Sequence, residues 1–146
     1  MRTIIIGPCR SGKSSLAREL RSVGIPTFCG DPKSEAKDVE DDVTYLPEGL
    51  PISGKDGAAQ WIADNWFTMP GPWCCESWVM ARALRRWLAE HPQGCPGEVL
   101  PCDEIIVFTK QHAHAVTKPG QITQAKAVAT VWNTIKHHFT DITETR

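Results

Sequence analysis

The chain has 146 residues, 41% of them hydrophobic, which suits a single globular domain over residues 1–146 and is too short for two ordinary domains. The 16 Lys and Arg residues nearly balance the 17 Asp and Glu residues, and the formal charge of -1 argues against general attraction to nucleic acid or to an anionic membrane. The apolar run Thr3–Ile6 is too short for a signal peptide, and no later stretch approaches the roughly 18 apolar residues of a membrane span, so we expect a soluble, cytoplasmic protein.

The first predicted elements are a buried strand and a helix joined by a glycine loop. Arg2–Ile6 is a largely β-branched run without interruption, as in a central parallel strand, and Gly7 ends it. Apolar residues recur at helical spacing from Ser14 to about Val23, and Gly24 closes that helix. The beginning of the chain therefore has the order strand, glycine loop, helix.

A second short strand is predicted at Thr27–Cys29, and the turn Gly30-Asp31-Pro32 follows it. Residues 33–55 are mostly polar or turn-forming, which indicates a surface excursion with a candidate short strand near Val43–Tyr45. The acidic run at residues 38–42 is typical of a solvated face rather than of a metal site.

The second half of the chain continues the alternation. A helix is predicted over residues 56–68, and a third strand over Trp73–Cys75 ends at Glu76. Ser77 is predicted to cap a third helix that runs to about Glu90.

A fourth strand is predicted at Ile105–Phe108, and the polar connection Lys110–Gly120 follows it. The last predicted elements are a helix from about Gln121 to His138 and a short strand at Phe139–Ile142. Because strands alternate with helices, the sequence predicts an α/β domain with a parallel sheet and helices on both faces.

A ligand of such a sheet binds beyond the carboxyl ends of the strands. Those ends carry Gly7, Asp31, Glu76 and Thr109. Two of these four residues are carboxylates, so this edge of the sheet is the predicted functional site.

Residues Gly7 to Ser14 match the phosphate-binding pattern G-x-x-x-x-G-K-S/T in full. The two glycines of the pattern allow main-chain N–H groups to face phosphates, and the following helix adds the positive end of its dipole. We expect Lys13 to reach the β- and γ-phosphates of ATP, and the hydroxyl of Ser14 to bind the accompanying Mg²⁺. The predicted nucleotide-binding residues are Gly7, Pro8, Cys9, Arg10, Ser11, Gly12, Lys13, Ser14 and Ser15.

With this motif and this order of elements, the chain resembles the P-loop kinases that act on nucleosides and nucleoside monophosphates. Outside residues 7–14 the resemblance rests on the order of elements over nearly the whole chain. It implies a three-layer P-loop NTPase fold whose five-stranded parallel sheet has the order 2-3-1-4-5. It also implies transfer of the γ-phosphoryl group of ATP to a small acceptor, a nucleoside or nucleotide.

The resemblance also assigns roles to the two carboxylates. In nucleoside kinases the second strand ends in an acidic residue, often followed by proline, and Asp31-Pro32 stands there. An acidic residue also ends the third strand, where this chain has Glu76. The resemblance therefore implies that Asp31 is the general base toward the acceptor hydroxyl and that Glu76 organises Mg²⁺ together with Ser14. The roles of Asp31 and Glu76 could be exchanged. Lys13 completes the predicted catalytic set.

The chain departs from these kinases in one segment. Their lid, between the fourth strand and the last helix, carries several arginines, whereas Lys110–Gly120 has none. Lysines of this segment or arginines of the third helix would then have to substitute. A nucleic-acid-directed kinase, not favoured by the charge, and an ATP-hydrolysing switch or motor stay open as alternatives.

The six cysteines are expected to be reduced thiols, since the chain has no export signal and its length needs no disulfides. A zinc site formed by Cys95, Cys102, His112 and His114 stays open, but the spacing differs from that of the usual structural zinc sites.

Overall fold

The computed structural model describes residues 1–8, 11–31, 40–48, 54–91, 100–111, 116 and 118–145. The strands are β1 (Arg2–Ile6), β2 (Thr27–Cys29), β3 (Val43–Tyr45), β4 (Trp73–Ser77), β5 (Glu104–Phe108) and β6 (Ile142–Thr145). The helices are α1 (Lys13–Ser22), α2 (Gly54–Asn65), α3 (Met80–Glu90) and α4 (Pro119–Ile135), and a 3-10 turn at Lys136–His138 continues α4. Within the described ranges, no helix combines the length and apolar character needed to cross a bilayer.

The six strands form one sheet in which every pairing is parallel, in the order β3-β2-β4-β1-β5-β6. The α/β class and the parallel sheet are therefore as the sequence predicts. The predicted count of five strands is wrong, because the candidate short strand Val43–Tyr45 forms as β3 and pairs with β2 at one edge. The full order therefore differs from 2-3-1-4-5, although the five predicted strands keep that order among themselves, as β2-β4-β1-β5-β6. An edge strand has a neighbour on one side only and buries less surface, so its sequence carries a weaker signal than that of a central strand.

The central strand β1 divides the core between the two faces of the sheet. Side chains alternate along a strand, so Ile4 and Ile6 face one side and Ile5 faces the other. Ile4 and Ile6 pack in a core with buried residues of α2, α3 and α4. Ile5 packs with Ala17 of α1. The helices thus cover both faces, and α1 lies opposite the other three.

Several predicted boundaries differ from the observed ones: the helix predicted over residues 56–68 is α2 at Gly54–Asn65, for example. Two of the differences have local causes. Ser77 does not cap a helix but ends β4, where it pairs with Ile6 of β1, and α3 begins only at Met80. The last strand begins at Ile142 rather than at Phe139, and the predicted helix to His138 is α-helical only to Ile135, with the 3-10 turn over Lys136–His138. Phe139 is buried and stacks on Trp132, with 6.2 Å between the ring centroids.

The core can be tested with two isoleucines of opposite exposure. Ile105 in β5 is 1% exposed, whereas Ile122 in α4 is 50% exposed. We expect Ile105→Ala to lower the free energy of unfolding by about 2–5 kcal/mol, because it removes buried methyl groups and leaves a cavity. Ile122→Ala should change it by no more than about 0.5 kcal/mol. Urea unfolding measures both, and equal losses would contradict this description of the core.

Candidate functional site

The loop between β1 and α1 is shaped by a glycine and an internal hydrogen bond. Gly12 precedes the helix in the left-handed region, with φ 94°, a conformation that favours glycine, and offers no side-chain cap to the helix. The hydroxyl of Ser11 donates to the carbonyl oxygen of Pro8 at 2.7 Å, which closes the turn. Cys9 and Arg10 of the predicted nucleotide-binding set lie outside the described residues.

The loop begins with Gly7, where neighbouring atoms lie too close for a side chain. A Cβ at Gly7 would lie 2.7 Å from Ser11 Oγ and 3.0 Å from Phe108 Cβ. A larger residue would therefore push the loop away from β5. Ser14 and Ser15 are exposed in the first turn of α1. The main-chain N–H groups of Ser15 and Leu16 donate to the carbonyl oxygen of Gly12 at 3.2 and 3.4 Å.

Lys13 is in contact with the other two residues predicted to be catalytic, Asp31 and Glu76. Its side chain is 4% exposed, and its Nζ lies 3.1 Å from Asp31 Oδ2 and 4.0 Å from Glu76 Oε2. Nζ also donates to the carbonyl oxygen of Pro8 at 3.4 Å. Three separate segments supply this cluster: the start of α1, the residues after β2, and β4. The strand order brings them together because β4 lies between β1 and β2.

Asp31 is held in place through one oxygen of its carboxylate. Oδ1 accepts hydrogen bonds from the Ser77 hydroxyl at 2.8 Å and from the Trp78 N–H at 3.1 Å. The neighbouring Gly30 N–H donates to the main-chain oxygen of Glu76 at 3.0 Å. The other oxygen, Oδ2, faces Lys13. The end of β2 is thus tied to the end of β4, and the orientation of Asp31 is fixed.

Glu76 is the least satisfied member of the cluster. The residue is 4% exposed, and among the described residues its Oε2 accepts no hydrogen bond. Burial raises the pKa of Glu76, Lys13 opposes that effect, and the carboxylate of Asp31 adds to it, so that the net pKa lies above 4.5. The fold therefore holds a carboxylate whose charge is not fully compensated.

For Lys13, in contrast to Glu76, the neighbouring charges together have a larger effect on the pKa than burial has. Burial alone lowers the pKa of Lys13, but the carboxylates of Asp31 and Glu76 outweigh that effect and raise the pKa above its ordinary 10.5. Lys13 therefore remains positively charged at neutral pH although it is buried.

The structure adds Cys29, which the sequence analysis did not include in the site. Cys29 ends β2 and pairs in register with Glu76 of β4. Its Sγ, a carboxylate oxygen of Asp31 and a carboxylate oxygen of Glu76 all lie within 4.8 Å of one another. Burial, followed by the nearby charges of Glu76 and Asp31, raises the pKa of the Cys29 thiol. In the sequence, the only indication that Cys29 belongs to the site is its position two residues before Asp31. The strand register of the structure is needed to show that it lies beside Glu76.

The remaining candidate residues are exposed, buried as a free thiol, or outside the described part of the chain. Thr109, at the end of β5, is exposed. Of the four residues of the open zinc site, Cys102 is buried as a free thiol, and Cys95, His112 and His114 lie outside the described residues. Much of the segment predicted to form the lid also lies outside them.

Comparison with protein-family models, with curated proteins and with solved structures gives no match to this chain. The function must therefore be inferred from the geometry and the chemistry of the cluster around Lys13.

The raised pKa of Glu76 gives a pH-dependent prediction. Below pH 4.5 the carboxyl is protonated in the folded and unfolded states, and as pH rises the unfolded state ionises first. Ionisation therefore lowers the free energy of unfolding until the folded-state pKa is passed. We expect Glu76→Gln to be more stable than the natural chain at neutral pH, with the difference vanishing toward pH 4.5.

Urea unfolding over a pH series measures this difference. Glu19→Gln is the matched control, because Glu19 is exposed on α1 and its replacement should have little effect at any pH. A Glu76→Gln variant that is less stable at neutral pH would mean that attraction to Lys13 outweighs the cost of burial.

Proposed function

We propose that the chain is a P-loop kinase that binds ATP at residues 7–15 and transfers its γ-phosphoryl group to a small acceptor, a nucleoside or nucleotide. The observation that carries the proposal is the convergence of Lys13, Asp31 and Glu76 at the end of the sheet where β1 leads into α1. One cation and two carboxylates beside a glycine loop and a helix N-terminus are the groups that phosphoryl transfer requires.

The start of α1 supports the ATP-binding part of the proposal. No acidic residue occupies its first turn, and Gly12 leaves the first main-chain N–H groups without a side-chain cap. Such groups and the helix dipole favour an anion. Lys13 adds a full positive charge on a flexible stem, and in ATP binding it would exchange its carboxylate partners for phosphate oxygens.

The donors present fit Mg²⁺, which prefers oxygen ligands and retains several waters. Glu76 offers a buried oxygen that accepts no hydrogen bond from the described residues, and Ser14 offers an exposed hydroxyl at the first turn of α1. These two residues would hold the ion, Ser14 directly and Glu76 directly or through water. Mg²⁺ would supply neutralisation of charge on the phosphates.

Asp31 is suited to orient the acceptor. Its side chain is 13% exposed, so it lies at the boundary between the buried cluster and solvent. Two hydrogen bonds fix Oδ1, which leaves Oδ2 to accept the proton of an acceptor hydroxyl once Lys13 moves to phosphate. Such a carboxylate positions the attacking oxygen in line with the transferred group, and the reaction needs little further covalent assistance.

Lys13→Met tests the ATP-binding part of the proposal. Methionine retains the apolar stem and removes the charge, so ATP affinity should fall by at least roughly 10–100-fold, as expected for loss of hydrogen bonds from a charged group. Lys126→Met, on the exposed face of α4, is the matched control and should bind ATP as the natural chain does. Calorimetry measures affinity, and circular dichroism verifies folding. Equal affinity of the two variants for ATP would reject the site.

Asp31→Asn tests the catalytic part. The amide oxygen can still accept the hydrogen bonds made to Oδ1, but it cannot take a proton, so transfer should fall roughly 10²–10⁴-fold while ATP affinity changes far less. The control is Asp41→Asn, since Asp41 is exposed. Both are assayed with labelled ATP, Mg²⁺ and a panel of nucleosides, nucleoside monophosphates and DNA or RNA ends.

The same panel separates the alternatives. Equal losses of transfer and ATP binding in Asp31→Asn would assign Asp31 to the metal or to structure. Labelling of DNA or RNA ends alone would indicate a nucleic-acid kinase. Phosphate release that no acceptor changes would indicate an ATPase.

A further inference from the structure

The cluster around Glu76 contains a donor that magnesium chemistry does not use. Cys29 is 6% exposed, and its Sγ lies within 4.8 Å of a carboxylate oxygen of Asp31 and of one of Glu76. Hard cations such as Mg²⁺ select oxygen ligands, whereas thiolate ligands select zinc and other softer ions. One sulfur with two carboxylates is therefore a donor set for a different class of cation.

Glu76 provides a second observation that points to a bound cation. Among the described residues, its buried Oε2 accepts no hydrogen bond, and the positive charge nearest to it, Lys13 Nζ, lies 4.0 Å away. That distance exceeds the range of a hydrogen bond, so the ammonium compensates the charge only in part. An ion between the two carboxylates would satisfy this oxygen directly.

The separations are close to those of a coordination shell. With Zn–S near 2.3 Å and Zn–O near 2.0–2.2 Å, a tetrahedral ion holds its sulfur and oxygen ligands about 3.5 Å apart. The three donor atoms lie within 4.8 Å of one another, so small side-chain rotations would bring them to that distance. Backbone pairing between β2 and β4 already fixes Cys29 opposite Glu76.

We propose that Cys29, Asp31 and Glu76 form a binding site for a thiophilic divalent cation of the zinc class, which replaces the Lys13 ammonium between the two carboxylates. Cys29 binds as the thiolate and releases its proton to solvent, and water completes the shell. Nucleotide is not required, so this inference does not depend on the proposed kinase activity.

The position of Lys13 determines how its charge should affect metal binding. The ammonium lies 3.1 Å from Asp31 Oδ2, in the space where the ion would neutralise the same charges. Ion and ammonium therefore exclude each other. Removing the lysine charge should strengthen metal binding, although it weakens ATP binding.

The experiment uses the full chain without nucleotide. Zn²⁺ affinity is measured by calorimetry, and Co²⁺ serves as a spectroscopic probe because thiolate ligation produces charge-transfer absorption in the near ultraviolet. Cys29→Ser should abolish that absorption and weaken Zn²⁺ binding by more than the roughly 10–100-fold typical of an outer-shell change. The control is Cys74→Ser, a buried free thiol of β4 outside the cluster, which should retain both signals.

Two further variants make the result decisive. Lys13→Met should bind Zn²⁺ roughly 10–100-fold more tightly, as expected for loss of a neighbouring positive charge. Glu76→Gln should bind it more weakly and carries the test if Cys29→Ser does not fold. The proposal would be overturned if Cys29→Ser folded and bound Zn²⁺ as tightly as the natural chain. If Cys29→Ser does not fold, unchanged Zn²⁺ affinity in Glu76→Gln would overturn it. Weaker Zn²⁺ binding in Lys13→Met would also overturn it. ATP affinity, measured separately, decides the proposed function.

Discussion

A buried positive charge between two carboxylates is the constraint on which the candidate site depends. The Lys13 ammonium is almost inaccessible to solvent, and it is retained in its charged form because carboxylate oxygens of Asp31 and Glu76 lie 3.1 and 4.0 Å from it. Removing charges from water costs more than such a pair commonly returns, so a buried ion cluster is weak evidence for stability. Its presence at the end of the sheet, beside a glycine loop, is better explained by function.

The cluster also shows why the order of the strands matters more than any single element. Lys13 and Glu76 are separated by most of the first half of the chain, and they meet because β4 lies directly beside β1. Asp31 joins them because β2 pairs with the other side of β4, and the hydrogen bond from Ser77 fixes its carboxylate. Parallel strands deliver their carboxyl ends to one edge, so residues distant in sequence share one small volume.

That rule is also the reason why the sequence alone could place Asp31 and Glu76 at one edge of the sheet, whereas other features of the candidate site could not be predicted. The continuous apolar run at Arg2–Ile6 and the pattern at 7–14 identified the central strand and its loop without structural information. The edge strand Val43–Tyr45 carries no such run. Cys29 was missed because a buried thiol is usually a small apolar side chain, and only the register opposite Glu76 distinguishes it. Serine is a common helix-capping residue, yet pairing with Ile6 keeps Ser77 in β4.

The two margins of the sheet have a consequence for how the chain behaves at high concentration. The strands at the margins, β3 and β6, contain only three and four residues. An outermost strand exposes unpaired N–H and C=O groups, to which a strand of another molecule can add, and short outermost strands limit this form of self-association. The apolar runs that would be most prone to aggregate, Ile4–Ile6 in β1 and Ile105–Phe108 in β5, lie in strands that have a partner on each side. The strand order thus contributes to colloidal stability as well as to the geometry around Lys13.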